Sequence, residues 1–401
     1  MVKNVIKQAF VILKTYYAPI IIILILLIAA FLRLHSLSSI PPGLNQDEVV
    51  NGYDAYSISH TLRDHHGVIL PRVLTSFGDS VSPALTYLTI PFVRILGLST
   101  LSVRLPIALF GTLSVLLVYL LIKEFSKNRN LALLGAFLMA ISPWAIVSSR
   151  WAVSPDIVPF SILLFLWLSS LSIYRKRFTC TFLCLTGLAA GLLTYSYETT
   201  EIITPFLVVA LGLIYFRKNI RYLLTLAITY FICVVPLYYQ ILFSPKSSFT
   251  RLGQVIIPYH GLKFIEALVT NYLGYFKYSF YFGLKSNDPI LHISGTGNFY
   301  SFLALFLVTS VVVLVTYLAR GFKVKENFNK LITALDGKLL TFGFILLILS
   351  PIPASVTMPK EYIERALVSF PLMLIILTYS CYYTLKFLPK YIKQLTGGGY
   401  Y

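Results

Sequence analysis

Two adjacent carboxylates, Asp47 and Glu48, follow the first apolar segment of the chain, in the run Asn45-Gln46-Asp47-Glu48. A carboxylate within hydrogen-bond reach of a hydroxyl group can take its proton as the oxygen attacks. Acids in a first helical turn are also stabilised by the helix dipole, by about 0.3–1 kcal/mol. From spacing alone, the structural interpretation is slightly favoured over the catalytic one.

A third acid, Asp156, stands in Ser154-Pro155-Asp156 at the start of a later apolar segment. It has the same two interpretations, because a first-turn acid is favoured by the helix dipole whether or not it does chemistry. On its own the choice is about even. Because Asp47 is predicted at the same membrane face, the functional interpretation of Asp156 is favoured when the two acids are taken together.

The composition predicts the elements that must position these acids. Hydrophobic residues make up 57% of the 401 residues and charged residues only 12%, and the mean hydropathy is +0.79. These values indicate an all-α polytopic membrane protein. Apolar runs of near spanning length predict ten transmembrane helices: 16–34, 104–122, 131–149, 157–174, 178–197, 202–216, 222–243, 298–319, 339–357 and 366–385.

The basic residues that give the net charge of +18 are concentrated in alternate connections, as expected for an oriented membrane protein. Alternate connections, beginning with the N-terminal one, hold 20 of the 33 basic residues and three of the 15 acids. Positive charge marks cytoplasmic connections, so both termini are predicted to be cytoplasmic. Nucleic acid is excluded as a partner, because no basic-aromatic cluster lies outside these connections.

The long connections fall on the outer side, at 35–103 and 244–297. The predicted organisation is a core of residues 1–243 that includes the first outer loop 35–103, a second outer loop 244–297, and C-terminal helices with a tail at 298–401. Asn45 and Glu48 form a capping-box pattern, which predicts a surface helix. A second amphipathic surface helix is predicted from Ser82-Pro83.

Short motifs over most of the chain resemble the GT-C membrane glycosyltransferases. These include the protein O-mannosyltransferases and the lipid A aminoarabinose transferases, and bacterial family 39 members are the most similar. The motifs, in family order, are Asp47-Glu48, Gly52-Tyr53-Asp54-Ala55, Asp64-His65-His66-Gly67, Val103-Arg104-Leu105-Pro106, Ile141-Ser142-Pro143-Trp144, Asp156, Gly295-Thr296-Gly297, Pro351-Ile352-Pro353-Ala354-Ser355 and Arg365.

The resemblance implies a GT-C fold and a sugar transferase. Its substrates would be a polyprenyl-phosphate sugar in the membrane lipid and a glycan, lipid or protein acceptor, at the outer face of the cytoplasmic membrane. Asp47 matches the catalytic aspartate of the family. Asp156 matches the second acid, which orients the acceptor or helps to hold a divalent metal ion, and Glu48 would support the catalytic acids or bind on the metal side. If a metal ion is present, its candidate ligands are Asp47, Glu48 and Asp156. The family analogy also implies inversion at the anomeric carbon, and the 244–297 loop is a candidate for acceptor specificity.

For the donor phosphate the best candidate is Arg365, since guanidinium matches phosphate oxygens in a bidentate fork. An ion pair with Glu361 or Glu364 is its structural alternative. His292 and Arg150 are weaker candidates for the same role. The chain departs from the family at two positions. Ser82 stands where a lysine is usual, and Tyr362 stands where a histidine is usual.

Three alternatives stay open. The acids of Tyr195-Ser196-Tyr197-Glu198-Thr199-Thr200-Glu201 either bind an amino sugar or cap a helix. A transporter or lipid flippase would carry its functional charges deep within the spans. A polysaccharide polymerase or ligase would depend on Arg251, His260 and His292 and not on Asp47.

Overall fold

A computed structural model of the protein describes residues 2–243, 255–284, 295–319, 345–358 and 361–395, together with Ile293 and Gly343. The regular secondary structure of this described part is helical, apart from one two-stranded hairpin in the first long loop. The all-α class predicted from composition is confirmed.

Six helices in the described part are long and apolar enough to cross a membrane. The chain is therefore a multi-pass membrane protein, as the apolar segments predict. These helices coincide with six of the ten predicted spans, whereas the total of ten stays a prediction. The six are Tyr16–Leu34, Thr100–Ser126, Ser154–Tyr174, Lys176–Thr194, Glu198–Phe216 and Ile220–Phe243.

Four spanning elements are used below to locate the site. Helix α1 covers Val2–Leu34, α4 covers Thr100–Ser126, and α7 covers Val158–Tyr174 after a short 3-10 turn at Ser154–Ile157. Helix α9 covers Glu198–Leu211 and continues as a π-helical segment at Gly212–Phe216. The other helices are α5 (Arg129–Ile141), α6 (Pro143–Ser148), α8 (Thr179–Thr194), α10 (Ile220–Phe243), Leu262–Gly274, Tyr278–Phe282, Phe302–Ala319, Ile352–Ser355 and Ser369–Leu395.

The predicted span 131–149 is divided into α5 and α6. Ser142, the residue between them, has an extended ψ of 128°. A residue before proline is disfavoured in the helical region, and Pro143 cannot donate a backbone hydrogen bond. The chain therefore turns at Ser142, and α6 starts with Pro143 in its first turn.

Close helix packing forms the core between these elements. Helix α4 contacts α1, α5 and α7, and α8 contacts α7 and α10. Gly111 of α4 lets the segment after α6 approach, because a Cβ at this position would lie 2.2 Å from Cβ of Ser149. That distance is far below van der Waals contact, so residue 111 must lack a side chain here.

The first long loop, 35–103, carries two helices where the sequence predicts surface helices. Helix α2 covers Gln46–Thr61, and α3 covers Ala84–Leu96. Between them, strands β1 (Leu74–Ser76) and β2 (Asp79–Val81) pair antiparallel, an element that the sequence analysis did not predict. On α3, Leu85 and Val93 are buried, whereas Ile95 is 79% exposed, so this helix also has an outward apolar face.

Candidate functional site

Helix α2 begins where the capping-box pattern predicts. The Asn45 side chain accepts a hydrogen bond from the backbone N–H of Glu48 at 2.8 Å, and the Glu48 carboxylate accepts one from the N–H of Asn45 at 3.1 Å. These bonds satisfy backbone N–H groups that would otherwise have no partner at the start of a helix. Asp47 is thereby fixed in the first turn of α2.

Glu48 is fully buried and points toward α4. Its Oε1 accepts hydrogen bonds from Arg104 Nε at 2.7 Å and from the Ala152 N–H at 3.0 Å. Its Oε2 accepts from Arg104 Nη2 at 2.8 Å. Both carboxylate oxygens therefore have positively charged or N–H partners, and the supporting role predicted for Glu48 is best understood as positioning Asp47.

One face of α2 lines a cleft. Asp47, Val50, Asn51 and Asp54 follow one another at helical spacing, which brings them onto the same side of the helix. The opposite walls come from the hairpin, from the segment before α7, from the start of α9 and from a C-terminal turn. The other lining residues are Leu74, Ser76, Val81, Thr86, Val153, Ser154, Pro155, Tyr197, Glu198 and Glu364.

The position of the cleft follows from the ends of the spanning helices. It lies in the loop that leaves α1, beside the starts of α7 and α9. The functional side chains are therefore gathered at one end of the helix bundle.

The cleft is acidic. Asp47, Asp54, Glu198 and Glu364 all line it, and the lining residues in the described part include no Lys, Arg or His. Carboxylates accept hydrogen bonds and repel anions, so this surface suits hydroxyl or ammonium groups and not a phosphate. A phosphate bound nearby needs a cation outside this lining.

Asp156 lies next to the cleft without lining it. Its neighbours Ser154 and Pro155 are lining residues, and Asp156 itself is buried in the 3-10 turn before α7. The structure thus brings the two predicted acids to the same end of the molecule. Their catalytic roles remain predictions.

Arg150 is held by the first outer loop. Its Nη1 donates to the carbonyls of Leu32 and Arg33, and its Nη2 donates to those of His35 and Ile40, at 2.8–3.0 Å. Four carbonyl acceptors leave this guanidinium group poorly placed for the predicted phosphate contact. Its geometry instead indicates that it fixes the exit from α1.

Arg365 is half-buried beside the cleft residue Glu364. Its Nη1 donates to Thr357 Oγ1 at 2.8 Å and to the Met358 carbonyl at 2.7 Å. Its guanidinium carbon lies 5.1 Å from the centre of the Tyr362 ring. Of the two acids considered as ion-pair partners, Glu361 contacts Lys277 Nζ at 3.2 Å. His292 lies outside the described residues.

Tyr87 attaches the loop after α2 to α3. Its hydroxyl donates to the Pro71 carbonyl at 2.8 Å. Burial, with a further contribution from the charge of Asp64, raises the pKa of Tyr87 to about 12. The hydroxyl is therefore protonated near neutral pH and keeps this hydrogen bond.

The side chains of the described residues are not arranged as the ligands of a metal ion would be. Among the described residues, no three His, Cys, Asp or Glu side chains are grouped as metal ligands would be. Glu48, one of the three predicted ligands, has both oxygens engaged by Arg104 and backbone N–H groups. No step below is derived through a metal.

Several cleft residues were not predicted as site residues from the sequence. Asn51 and Asp54 could have been found by extending the helical spacing from Asp47. Ser76 and Glu364 had no such signal, because their place at the cleft depends on tertiary structure. Glu198, one of the acids left open between sugar binding and capping, lines the cleft from the first turn of α9.

Comparison with known sequences gives a partial match. Residues 80–239 match the family described as dolichyl-phosphate-mannose-protein mannosyltransferase. A curated relative, the putative mannosyltransferase YkcB of Bacillus subtilis, is 31% identical over 151 residues. That alignment covers 37% of this chain and 20% of the relative, so the chain spans a small part of it.

Comparison with solved structures covers nearly the whole chain. The oligosaccharyltransferase AglB of Archaeoglobus fulgidus, in complex with an inhibitory peptide and a dolichol-phosphate, matches with a TM-score of 0.53 at 16% identity, over 96% of this chain and 52% of that one. ArnT of Cupriavidus metallidurans, bound to undecaprenyl phosphate, matches with a TM-score of 0.55 at 12% identity, over 91% and 60%. These matches confirm the predicted GT-C fold.

Proposed function

We propose that this chain, which has the GT-C fold, is a membrane glycosyltransferase that moves a sugar from a polyprenyl-phosphate carrier to an acceptor hydroxyl. The observation that carries the proposal is the position of Asp47, fixed by the capping box at the wall of an acidic cleft. The family match at 80–239 and the lipid phosphates bound by AglB and ArnT support the same reaction class.

Asp47 is the proposed general base. The acceptor oxygen attacks the anomeric carbon of the donor while Asp47 takes the hydroxyl proton. The bond between that carbon and the phosphate oxygen breaks, and the polyprenyl phosphate leaves as a stable anion that needs no proton. Attack opposite the leaving group inverts the anomeric carbon. Asp156 assists from beside the cleft by orienting the acceptor.

Arg365 is the proposed partner of the donor phosphate. The cleft lining carries carboxylates, so the phosphate must bind at its margin, and Arg365 follows directly after the lining residue Glu364. The hydrogen bonds from Nη1 to Thr357 and Met358 hold the guanidinium group in position. Phosphate would then be bound by a preorganised cation.

The membrane orientation is also proposed. The distribution of basic residues supports cytoplasmic termini, with the cleft at the outer face of the cytoplasmic membrane. The acceptor, a glycan, lipid or protein, would approach from outside, where the second long loop 244–297 is a candidate for its recognition. The transporter alternative gains no support from the cleft, because the acids lie at one end of the spans.

Lipid analysis of cells tests the proposal. Polyprenyl-phosphate sugars and outer-surface glycans are measured by mass spectrometry with the gene present, deleted and restored. Deletion is expected to accumulate one lipid-linked sugar and to remove one glycan modification, and restoration should reverse both. Identical lipid and glycan pools in all three strains would count against a glycosyltransferase.

A further inference from the structure

Three buried polar atoms on the cleft wall have no hydrogen-bond partner within the described residues. They are Asn51 Nδ2, Asp54 Oδ2 and Ser76 Oγ, and all three residues line the cleft. Their residues are at most 7% exposed. Buried polar groups are nearly always hydrogen-bonded, so three such atoms on residues that line one cleft point to a ligand-binding site there.

Asp54 has one carboxylate oxygen bound, and the other has no donor among the residues that the structure describes. Its Oδ1 accepts hydrogen bonds from the backbone N–H of His65 at 2.9 Å and lies 2.6 Å from His65 Nδ1. This arrangement fixes the plane of the carboxylate. Oδ2 is then a buried acceptor, without a partner among the described residues, on a residue that lines the cleft.

Asn51 is held in a comparable way. Its Oδ1 accepts a hydrogen bond from the Thr86 hydroxyl at 2.6 Å. The other end of the amide, Nδ2, is a donor with no partner in the described part of the chain. One turn of α2 separates Asn51 from Asp54, so donor and acceptor lie side by side.

The combination of groups selects among ligand classes. A carboxylate oxygen accepts, an amide nitrogen donates, and the hydroxyl of Ser76 does both. A bare cation would leave the amide donor unsatisfied, and a phosphate would be repelled by Asp54. Adjacent hydroxyl groups on a sugar ring, which each donate and accept, satisfy all three.

We propose that Asn51, Asp54 and Ser76 form the subsite that binds hydroxyl groups of the transferred sugar, an inference that rests on the proposed function. The transferred sugar must lie beside Asp47 whatever the acceptor is. Asn51 and Asp54 follow Asp47 on the same face of α2, displaced by about 6 and 10 Å along the helix axis. The reacting carbon would lie nearest Asp47, with the remaining hydroxyls toward Asn51 and Asp54.

Binding to the full-length protein in nanodiscs tests this subsite. The probes are undecaprenyl phosphate alone and undecaprenyl phosphate carrying mannose, glucose, galactose or N-acetylglucosamine. The proteins are the wild type, Asn51→Leu, Asp54→Asn, Ser76→Ala and, as a control, Arg177→Gln, which changes an exposed residue at the start of Lys176–Thr194.

The wild type and Arg177→Gln are expected to bind at least one glycosylated lipid tenfold more tightly than undecaprenyl phosphate alone. Asn51→Leu and Asp54→Asn should lose this preference while binding undecaprenyl phosphate normally, which also shows that they fold. Ser76→Ala, the smallest change, should reduce the preference about threefold.

The subsite is overturned if the wild type prefers no glycosylated lipid, or if all three variants keep the wild-type preference. Failure of the wild type to bind any probe, including undecaprenyl phosphate, would instead remove the proposed lipid donor and the subsite with it.

Discussion

Glu48 and Arg104 form a buried ion pair between the first surface helix and the spanning helix that follows it. Two hydrogen bonds, at 2.7 and 2.8 Å, join the side chains, and both are fully buried. Arg104 also donates to the carbonyls of Leu37, Pro41 and Gly43. This one pair ties α2 to α4 and to the exit from α1, and it holds the neighbouring Asp47 at the cleft.

Breaking this ion pair should destabilise the protein strongly. Glu48→Gln or Arg104→Leu leaves a buried charge without its counter-charge, which costs about 3–5 kcal/mol. We expect a clear fall in the thermal unfolding midpoint in detergent. Lys127→Ala is the matched control, because it breaks an ion pair with Glu124 whose lysine side chain is 64% exposed, and such pairs contribute about 0–1 kcal/mol. Equal shifts for the two pairs would contradict this account.

Gly52 sets the distance between α2 and α4. A Cβ at this position would lie 2.4 Å from Cγ2 of Val103. Gly52→Ala, which in an exposed helix would stabilise, is therefore expected to destabilise by about 1–3 kcal/mol through overpacking. The thermal midpoint should fall, and Val103→Ala in the same chain should restore part of the loss. A higher midpoint for Gly52→Ala alone would show that the helices are not in close contact.

Arg365 should control affinity for the lipid phosphate. Arg365→Ala is expected to weaken binding of undecaprenyl phosphate at least tenfold, and Arg365→Lys by less, because an ammonium group keeps the charge but loses the fork. Arg94→Ala serves as the control, since Arg94 is an exposed arginine whose Nη1 donates to the Ser59 carbonyl on the first outer loop. Unchanged affinity in Arg365→Ala would move the phosphate site elsewhere.

His65 is expected to act as a positioning residue through Asp54. His65→Ala removes the ring nitrogen that lies 2.6 Å from Asp54 Oδ1 but keeps the backbone N–H donor at 2.9 Å, so the carboxylate is held less firmly. We expect the preference for a glycosylated lipid over undecaprenyl phosphate to fall about threefold to tenfold. His65→Asn places an amide donor near the same point and should restore most of it. A loss of stability without any change in preference would leave His65 with a purely structural role.

Local patterns allowed much of the fold to be predicted. The start of α2 at the Asn45 and Glu48 pair was correct because a capping box satisfies its donors within four residues. The hairpin at 74–81 was missed. Its strands have three residues each, too few for a periodic pattern, although Gly78, at a φ of +86°, marks the turn between them.

Part of the site was also predictable from local sequence patterns. Asp47 and Asp156 stand in the first turns of helices, and the predicted alternation of the spans assigns both to the same membrane side. Glu364 reaches the cleft only through tertiary packing, which no local pattern encodes. Arg150 was predicted as a phosphate partner from its charge, but the four carbonyl groups that surround it are brought there by tertiary packing, which no local pattern encodes.

Donor turnover by the Asp47→Asn protein tests the central claim most directly. The purified protein is incubated in nanodiscs with the lipid-linked sugar that accumulates in the deletion strain and with extract containing the acceptor, and release of undecaprenyl phosphate is measured. The wild type and Arg177→Gln should turn the donor over at the same rate. Asp47→Asn should bind the donor normally but release undecaprenyl phosphate at least a hundredfold more slowly, because no carboxylate takes the proton of the acceptor hydroxyl. Wild-type turnover by a folded Asp47→Asn protein would contradict the account.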